Sequence, residues 1–255
     1  MANRQRTMPT YLISTGTADI TPCVLSQPSL LLANDLPPAV RLCGLDEVGR
    51  GALAGPLVAA AVILPDDIGA LLGPLARFLR DSKTVPAPRR TEIAAKLHEL
   101  ALAVEVVVIA VEEINTRGIG WANREAFRQL IAAITADEYV VDGKLKPSAP
   151  PERAALVRCQ VKADATVPAV AAASLVAKVH RDALMIALAE THPHFGWQSN
   201  VGYGSAAHLA ALRTHGPTPE HRTLFVTTAL SGGQRARNAR KKAVQAPLLT
   251  GEVEW

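Results

Sequence analysis

Two adjacent carboxylates, Asp46 and Glu47, follow a short apolar run and stand directly before a glycine-bracketed arginine, Gly49-Arg50-Gly51. Acidic side chains at the end of a buried strand are unfavourable unless they bind a metal ion, pair with a cation or reach water. Glycines, which lack a side chain, leave their backbone N–H groups open to a close ligand. Carboxylates bind cations, whereas open backbone amides and an arginine bind anions. The combination suits a phosphodiester together with its metal ions. The alternative interpretation is a solvated strand end followed by an ordinary turn.

Two further acidic residues occupy comparable positions later in the chain. Asp142 ends a short apolar strand, and Asp164 comes just before a long helix that opens at Pro168. In open α/β sheets, ligands gather at the carboxyl ends of the strands, so Asp46 and Asp142 converge if their strands are parallel neighbours. The sequence alone does not prove that pairing. For Asp164 a second interpretation stays open, since an acidic residue before a helix commonly complements the helix dipole.

Two stretches of the sequence resemble the motifs of one enzyme family. The string CGLDEVGRGALAGPLVAAAVIL, residues 43–64, is similar to the signature of bacterial ribonuclease HII, which nicks DNA at embedded ribonucleotides. The string KADATVPAVAAASLVAKVHRD, residues 162–182, is similar to the family pattern KGD…AAS…AKV.RD, with Ala163 where a glycine is frequent. The resemblance covers roughly residues 41–228.

The resemblance implies four catalytic carboxylates that also bind the metal ions: Asp46, Glu47, Asp142 and Asp164. Oxygen-only ligands select hard cations, so we expect two divalent ions, Mg²⁺ or Mn²⁺, in the active complex. Adjacent residues on a regular strand point to opposite faces, so Asp46 and Glu47 do not both ligate from ideal strand geometry. We therefore expect the strand to end or twist at Glu47, or Glu47 to bind through its backbone carbonyl.

The resemblance also implies six substrate-binding residues: Gly49, Arg50, Gly51, Ser82, Lys83 and Tyr203. Backbone groups of the Gly-Arg-Gly motif are expected to reach the ribose 2′-OH, the group that distinguishes RNA from DNA. The Ser-Lys pair is expected to hold a substrate phosphate, and the tyrosine to pack on the deoxyribose that follows the ribonucleotide. The alternatives are an ordinary loop charge for the lysine and an ordinary exposed rim residue for the tyrosine.

The activity implied by the resemblance is that of an endoribonuclease. It hydrolyses the RNA strand of RNA/DNA hybrids and nicks duplex DNA on the 5′ side of an embedded ribonucleotide, leaving 3′-OH and 5′-phosphate ends. Its expected partners are these two nucleic acids, and its expected roles are ribonucleotide excision and RNA primer removal.

Two other functional classes compete with this interpretation. A non-catalytic nucleic-acid-binding module could retain the fold, but its carboxylates would repel DNA in the absence of metal ions. A glycoside hydrolase could use a carboxylate pair, but it would need aromatic platforms for the sugar, and aromatic residues make up only 4% of the chain.

Several polar residues near the motifs receive simpler interpretations. Asp182 stands four residues after Lys178, the spacing of an ordinary helix ion pair. Ser174, after three alanines, is interpreted as a close-packing residue. His221 and Arg222 are interpreted as structural or phosphate-adjacent residues rather than proton-transfer groups.

The spacing of apolar residues predicts the elements that must position these side chains. The predicted strands cover residues 39–46, 57–64, 104–111, 138–142 and 155–161. The predicted helices cover residues 67–80, with a break near Gly73, and residues 89–103, 115–135 and 168–190. Asn123, on the third helix, either faces the substrate or is solvated. The predicted fold class is α/β: a ribonuclease H-like mixed five-stranded sheet flanked by helices, with a C-terminal helical portion.

Composition bounds the domain organisation. The chain has 255 residues, 49% of them hydrophobic, which is enough for one sizeable core. Residues 231–255 carry five basic and two acidic side chains, which leaves only about one positive charge of the net +4 elsewhere. We expect residues 1–38 to be a flexible N-terminal extension, residues 39–228 the catalytic domain, and residues 229–255 a basic, disordered tail.

Cysteine usage and hydropathy indicate the compartment. Cys23, Cys43 and Cys159 show no metal-binding or redox spacing, and two of them fall in predicted buried strands, which favours a reducing environment. No apolar run approaches the roughly 20 residues needed to span a bilayer, and no export signal is evident. We expect a cytoplasmic monomer without membrane association.

Overall fold

The structure, a computed structural model, describes residues 40–80, 85–144, 147 and 149–232. The strands are β1 (Leu42–Val48), β2 (Leu57–Ile63), β3 (Ala103–Ile109), β4 (Glu138–Asp142) and β5 (Val157–Gln160). The helices are α1 (Ile68–Leu72), α2 (Ala87–Leu100), α3 (Val111–Arg117), α4 (Ile119–Ala133), α5 (Pro168–Thr191), α6 (Trp197–Asn200), α7 (Ala206–His215) and α8 (223–232). Short 3-10 turns cover Gly73–Arg80, Ala154–Leu156, Ala163–Ala165 and Pro193–Phe195. The predicted extension, residues 1–38, and residues 233–255 of the predicted tail lie outside the described residues.

The strands form one mixed sheet in the order β3-β2-β1-β4-β5. The tight link between β1 and β2 makes them antiparallel neighbours, and β3 continues the antiparallel half. β1 and β4 are parallel neighbours, as are β4 and β5. The predicted mixed five-stranded sheet is confirmed, and the condition for bringing Asp46 next to Asp142 is met.

Apolar side chains cover both faces of the sheet. On one face, Leu45 of β1 and Phe127 of α4 belong to the same buried cluster. On the other face, Ala60 of β2 belongs to a cluster with the alanine-rich segment of α5. A Cβ on Gly44 would lie only 2.2 Å from the backbone carbon of Ala169, so the glycine allows α5 to lie directly against β1. The alanine-rich segment of α5 therefore belongs to a closely packed helix.

Several element boundaries differ from the predictions. β1 continues through Val48, so both acidic residues of the first motif lie inside the strand rather than at its end. The predicted helix 115–135 is two helices, because Gly118, with φ of 83°, separates α3 from α4. The predicted third strand ends early, at Ile109, because α3 begins two residues later. The predicted break near Gly73 is confirmed by the change from α1 to a 3-10 turn.

The C-terminal helical portion has its own apolar cluster, which includes Phe195 and Trp197. It attaches to the segment between β1 and β2 through a β-bridge that joins Ala54 to His221. Among the described helices, none combines the length and the apolar character needed to cross a membrane.

Candidate active site

Four acidic side chains come together in one pocket at an edge of the sheet. Asp46 and Glu47 lie on β1, Asp142 ends β4, and Asp164 lies in the 3-10 turn after β5. β1 and β4 run parallel and side by side, so their acidic residues emerge at the same edge. The pocket has a volume of about 330 Å³, and all four residues line it. The structure thus gathers the complete set of carboxylates that the sequence singles out.

The surroundings of Asp46 disfavour the charged form of its carboxyl. Its burial, together with the negative charges of Glu47 and Asp142, raises the pKa of the carboxyl to about 8. The Ser174 hydroxyl and the backbone N–H of Glu47, which donates to Oδ1 at 2.8 Å, favour the charged form but do not offset the burial. For Asp46, the effect of burial and of the neighbouring negative charges therefore exceeds that of its hydrogen-bond donors.

Glu47 faces the opposite side of β1 from Asp46, in agreement with strand alternation. Asp46 interacts with Ser174 on α5, whereas Glu47 interacts with Asn123 on α4. Burial raises the pKa of Glu47, while Asn123 and Arg50 act to lower it. The expected end of the strand at Glu47 is wrong, because β1 continues through Val48. A twist at Glu47, or ligation through its backbone carbonyl, stays a prediction. Both carboxylates nevertheless line the pocket.

Asn123 is a buried polar residue that sequence reasoning left between two interpretations. It is only 2% exposed, so a solvated position is excluded. Its amide favours the charged form of Glu47, yet its Nδ2 has no hydrogen-bond partner of good geometry among the described residues. We interpret the amide as a dipole close to the carboxylate rather than as a formed hydrogen bond.

Asp142 and Asp164 are linked through the turn that follows β5. The backbone N–H of Ala163 donates to Oδ1 of Asp142 at 2.7 Å. Lys162 adopts a left-handed conformation, with φ of 59°, and so reverses the chain towards the pocket. Asp164, one residue further on, is 6% exposed and lines the same pocket.

The four carboxylates have the chemistry that suits hard divalent cations, although they are not gathered closely around one position. Among the described residues, no group of three carboxylate, histidine or cysteine side chains is close enough to hold one ion as it stands. Among the described residues that line the pocket, the cationic side chains Lys178 and Arg90 pair with Asp182 at 2.6 Å and 3.8 Å. Carboxylate oxygens are the ligands that Mg²⁺ and Mn²⁺ prefer.

The Gly-Arg-Gly motif contains two glycines with different constraints. Gly49 is buried with φ of 88°, and a Cβ there would lie 2.1 Å from Nε of Arg181. Gly51 is exposed, has no unusual φ, and a Cβ there would meet nothing within 4 Å. Arg50 projects outward and pairs loosely with Glu47 at 3.8 Å. The fold itself explains the first glycine, while nothing within the described residues explains the second.

Tyr203 lies at the end of a tight turn next to this motif and is 37% exposed. The turn is fixed by a chain of two histidines. Thr218 N–H donates to Nδ1 of His221, so Nε2 of His221 carries a proton and donates to Nε2 of His208 at 3.0 Å. Nδ1 of His208 then donates to the backbone carbonyl of Tyr203 at 2.9 Å. The structural interpretation of His221 is confirmed.

The remaining predicted site residues have mixed outcomes. Ser82 and Lys83 lie in segment 81–84, outside the described residues. The ion pair between Asp182 and Lys178 is confirmed. The interpretation of Ser174 as a packing residue is wrong, because its hydroxyl interacts with Asp46 at the pocket. The available signal was a single hydroxyl side chain within an otherwise apolar stretch of the helix, residues 168–177.

Comparisons with known proteins agree with the sequence motifs. A family model described as Ribonuclease HII matches residues 43–228. A curated Ribonuclease HII of Paramagnetospirillum magneticum is 45% identical over 193 residues, which span 74% of this chain and 91% of that protein. One from Thermosynechococcus vestitus is 40% identical over 200 residues, which span 78% and 90% of the two chains. Among solved structures, the ribonuclease HII in a complex with PCNA from Archaeoglobus fulgidus aligns with a TM-score of 0.60 at 27% identity, covering 72% of this chain and 94% of that one.

Proposed function

The chain belongs to the ribonuclease HII family of RNA/DNA-hybrid endoribonucleases, and we propose that it nicks duplex DNA on the 5′ side of an embedded ribonucleotide. Water attacks the phosphorus of the linkage before the ribonucleotide, and the bond to the 3′ oxygen breaks. The products are a 3′-OH end and a 5′-phosphate end. Such nicking would serve ribonucleotide excision and RNA primer removal.

The observation that carries this proposal is that four carboxylates line one pocket, where burial and the charges of Glu47 and Asp142 raise the pKa of Asp46. We propose that Asp46, Glu47, Asp142 and Asp164 hold two divalent ions, Mg²⁺ or Mn²⁺. When bound, such ions activate the attacking water and stabilise the leaving oxygen. A glycosidase would not need this surplus of carboxylates, and a DNA-binding module would be weakened by it.

The chain's own groups orient the ligands. The hydroxyl of Ser174 and the backbone N–H of Glu47 hold the carboxylate of Asp46, and the backbone N–H of Ala163 holds that of Asp142. These donors limit carboxylate rotation, which lowers the entropy that would be lost when substrate and ions bind.

We propose that the backbone of Gly49, Arg50 and Gly51 reads the ribose 2′-OH. The open space above Gly51 supports this role, because a ligand can approach its backbone closely. Arg50, half exposed beside Glu47, can contact a phosphate. We also propose that Ser82 and Lys83 hold a substrate phosphate.

Tyr203 is proposed to pack on the deoxyribose after the ribonucleotide. Tyr203→Ala should reduce kcat/KM on a duplex with a single ribonucleotide by roughly tenfold, about 1.4 kcal/mol, because the packing surface is lost. The reduction on an RNA/DNA hybrid should be smaller, since the sugar that follows each ribonucleotide there is a ribose and not a deoxyribose. Tyr203→Phe keeps the ring and serves as the control. Equal losses on both substrates would remove the assignment.

The proposed function is tested by nicking of a labelled duplex that contains one ribonucleotide, beside an all-DNA duplex of the same sequence. We expect cleavage only at the ribonucleotide, loss of cleavage with a chelator, and recovery with Mg²⁺ or Mn²⁺. An Asp142→Asn preparation, purified in parallel, measures any contaminating nuclease. Cleavage that persists in the chelator, or binding without cleavage in the presence of either ion, would favour one of the competing classes.

The setting of the reaction is also proposed. Residues 39–228 act as one catalytic domain, and the net charge of +3 in residues 231–255 adds salt-sensitive affinity for DNA. We propose that the protein works as a monomer in the cytoplasm.

A further inference from the structure

Two arginines are buried next to the proposed ribose-reading motif. Arg181 on α5 and Arg222 before α8 are both 0% exposed. Among the described residues, neither forms an ion pair with an acidic side chain. Burial lowers the pKa of Arg222 to about 9 and also lowers that of Arg181. Burying an unpaired guanidinium is strongly unfavourable, so its hydrogen bonds must have a specific structural purpose.

The hydrogen bonds of Arg222 go to the segment between β1 and β2, which we call the 49–56 loop. Nε and Nη2 donate to the carbonyl of Gly55 at 2.9 Å and 2.8 Å. Nη1 donates to the carbonyls of Gly49 at 2.7 Å and Arg50 at 3.2 Å. The planar guanidinium therefore holds the two ends of the loop at a fixed separation.

Arg181 connects the same loop to the turn that carries Tyr203. Its Nε and Nη2 donate to the carbonyls of Pro56 and Ala54, each at 2.9 Å. Its Nη1 donates to the carbonyl of Val201 at 2.8 Å, and its guanidinium carbon lies 5.5 Å from the centre of the Tyr203 ring. One side chain thus contacts both proposed recognition elements.

The backbone of the turn adds a second attachment. The N–H groups of Leu53 and Ala54 donate to the carbonyl of Gly202 at 2.8 Å and 3.2 Å. A Cβ on Gly202 would lie 2.4 Å from the carbonyl oxygen of Ala54. Val201 has φ of 43°, a conformation that is unfavourable for a β-branched residue and that persists only where neighbours hold it. The turn is therefore held against the loop rather than resting there by local preference.

We infer that Arg181 and Arg222 are positioning residues that set the spacing between the 49–56 loop and Tyr203, and with it the preference for a ribonucleotide followed by a deoxynucleotide. This inference rests on the proposed function. The ribose read by the loop and the deoxyribose contacted by the tyrosine are consecutive sugars. A small change in the distance between the loop and the tyrosine therefore affects simultaneous binding of both sugars more than binding of either sugar alone.

The test replaces each arginine with lysine, which keeps a positive charge but cannot reproduce the forked set of donors. The measured quantity is the ratio of kcat/KM on a single-ribonucleotide duplex to kcat/KM on an RNA/DNA hybrid. We expect Arg222→Lys and Arg181→Lys to lower this ratio by roughly tenfold or more. Mn²⁺ binding, measured by calorimetry, should stay close to that of the wild type, since neither arginine contacts the carboxylates.

Arg153→Lys is a matched control. Arg153 also donates to several backbone carbonyls, those of Ile131, Ala132 and Ile134. These carbonyls lie at the C-terminal end of α4 and just after it, before β4 begins. Its replacement should change the melting temperature without changing the substrate ratio. A purely structural role for Arg181 and Arg222 predicts the same behaviour for all three variants.

Gly202→Ala approaches the same question from the turn and keeps the inference testable if a lysine variant does not fold. It should push the turn from the loop and lower the ratio likewise. Any of the three site variants that folds with an unchanged ratio overturns the inference. A wild-type protein that nicks neither substrate would instead overturn the proposed function.

Discussion

Asp46→Asn should abolish metal-dependent nicking and, at the same time, stabilise the protein when no metal is present. The nicking rate should fall by roughly a thousandfold, because several kcal/mol of transition-state stabilisation depend on ions that this carboxylate is proposed to hold. A residue whose removal destroys activity but improves stability is a group that the fold tolerates only for its function.

The gain in stability follows from the pKa of Asp46. Burial, aided by the charges of Glu47 and Asp142, raises this pKa from 3.8 to about 8 in the folded protein. Between these values the folded state binds a proton that the unfolded state has released, so the free energy of unfolding falls as the pH rises through this window. The loss reaches its full extent above about pH 8 and is on the order of a few kcal/mol. Asparagine carries no charge and removes this pH dependence.

Urea unfolding in a chelator at about pH 5 and about pH 9 measures the effect. The stabilisation by Asp46→Asn should be larger at the higher pH. Asp137→Asn is a control of opposite sign, because the backbone N–H of Arg41 lowers the pKa of Asp137, which therefore stabilises the fold above that pKa. That variant should be slightly less stable and should nick normally. An Asp46→Asn protein that is less stable than the wild type in chelator at both pH values would contradict the electrostatic argument.

Gly49→Ala should damage both the fold and the activity. For a residue with a Cβ, a φ of 88° alone lowers the free energy of unfolding by about 1 to 3 kcal/mol. The added Cβ would also lie 2.1 Å from Nε of Arg181. We expect the melting temperature to fall by roughly 2 to 10 °C. The nicking rate should fall by about a hundredfold, because displacement of Arg181 moves the whole 49–56 loop.

Gly51→Ala distinguishes an effect on substrate binding from an effect on stability within the same motif. Its Cβ has no intramolecular neighbour within 4 Å, so the melting temperature should be close to that of the wild type. Nicking should still fall, because the Cβ fills space proposed for the ribose. Gly69→Ala, on α1 and equally open, should leave both quantities unchanged. If Gly51→Ala nicks at the wild-type rate, the backbone of that residue does not approach the ribose.

The sequence predicts the site better than it predicts the geometry that orients it. Asp46 and Asp142 could be assigned to one sheet edge because strand ends have a recognisable pattern, but their pairing needed the family resemblance. The strand was expected to end or twist at Glu47, unless that residue used its backbone carbonyl. In the structure β1 continues through Val48 and Glu47 interacts with Asn123, a contact that depends on the position of α4 and not on local sequence.

The buried arginines show why the remainder could not be predicted. Arg181 and Arg222 have backbone carbonyls as partners, and a carbonyl has no signature in the sequence because every residue carries one. Gly118 divided a predicted helix for a related reason: apolar spacing continues on both sides of it, so periodicity alone does not detect the break. Ser174 was hidden among alanines whose packing role is confirmed.

Helix α5 carries, on one face, the contacts of both halves of the site. Ser174, which interacts with Asp46, and Arg181, which holds the 49–56 loop, are separated by seven residues, or two turns and about 10.5 Å of rise. The helix therefore fixes the distance between the proposed cleavage site and the proposed recognition elements. Inserting a single residue between these two positions would rotate one half by about 100° relative to the other, so we expect the length of this interval to tolerate no change even where its composition varies.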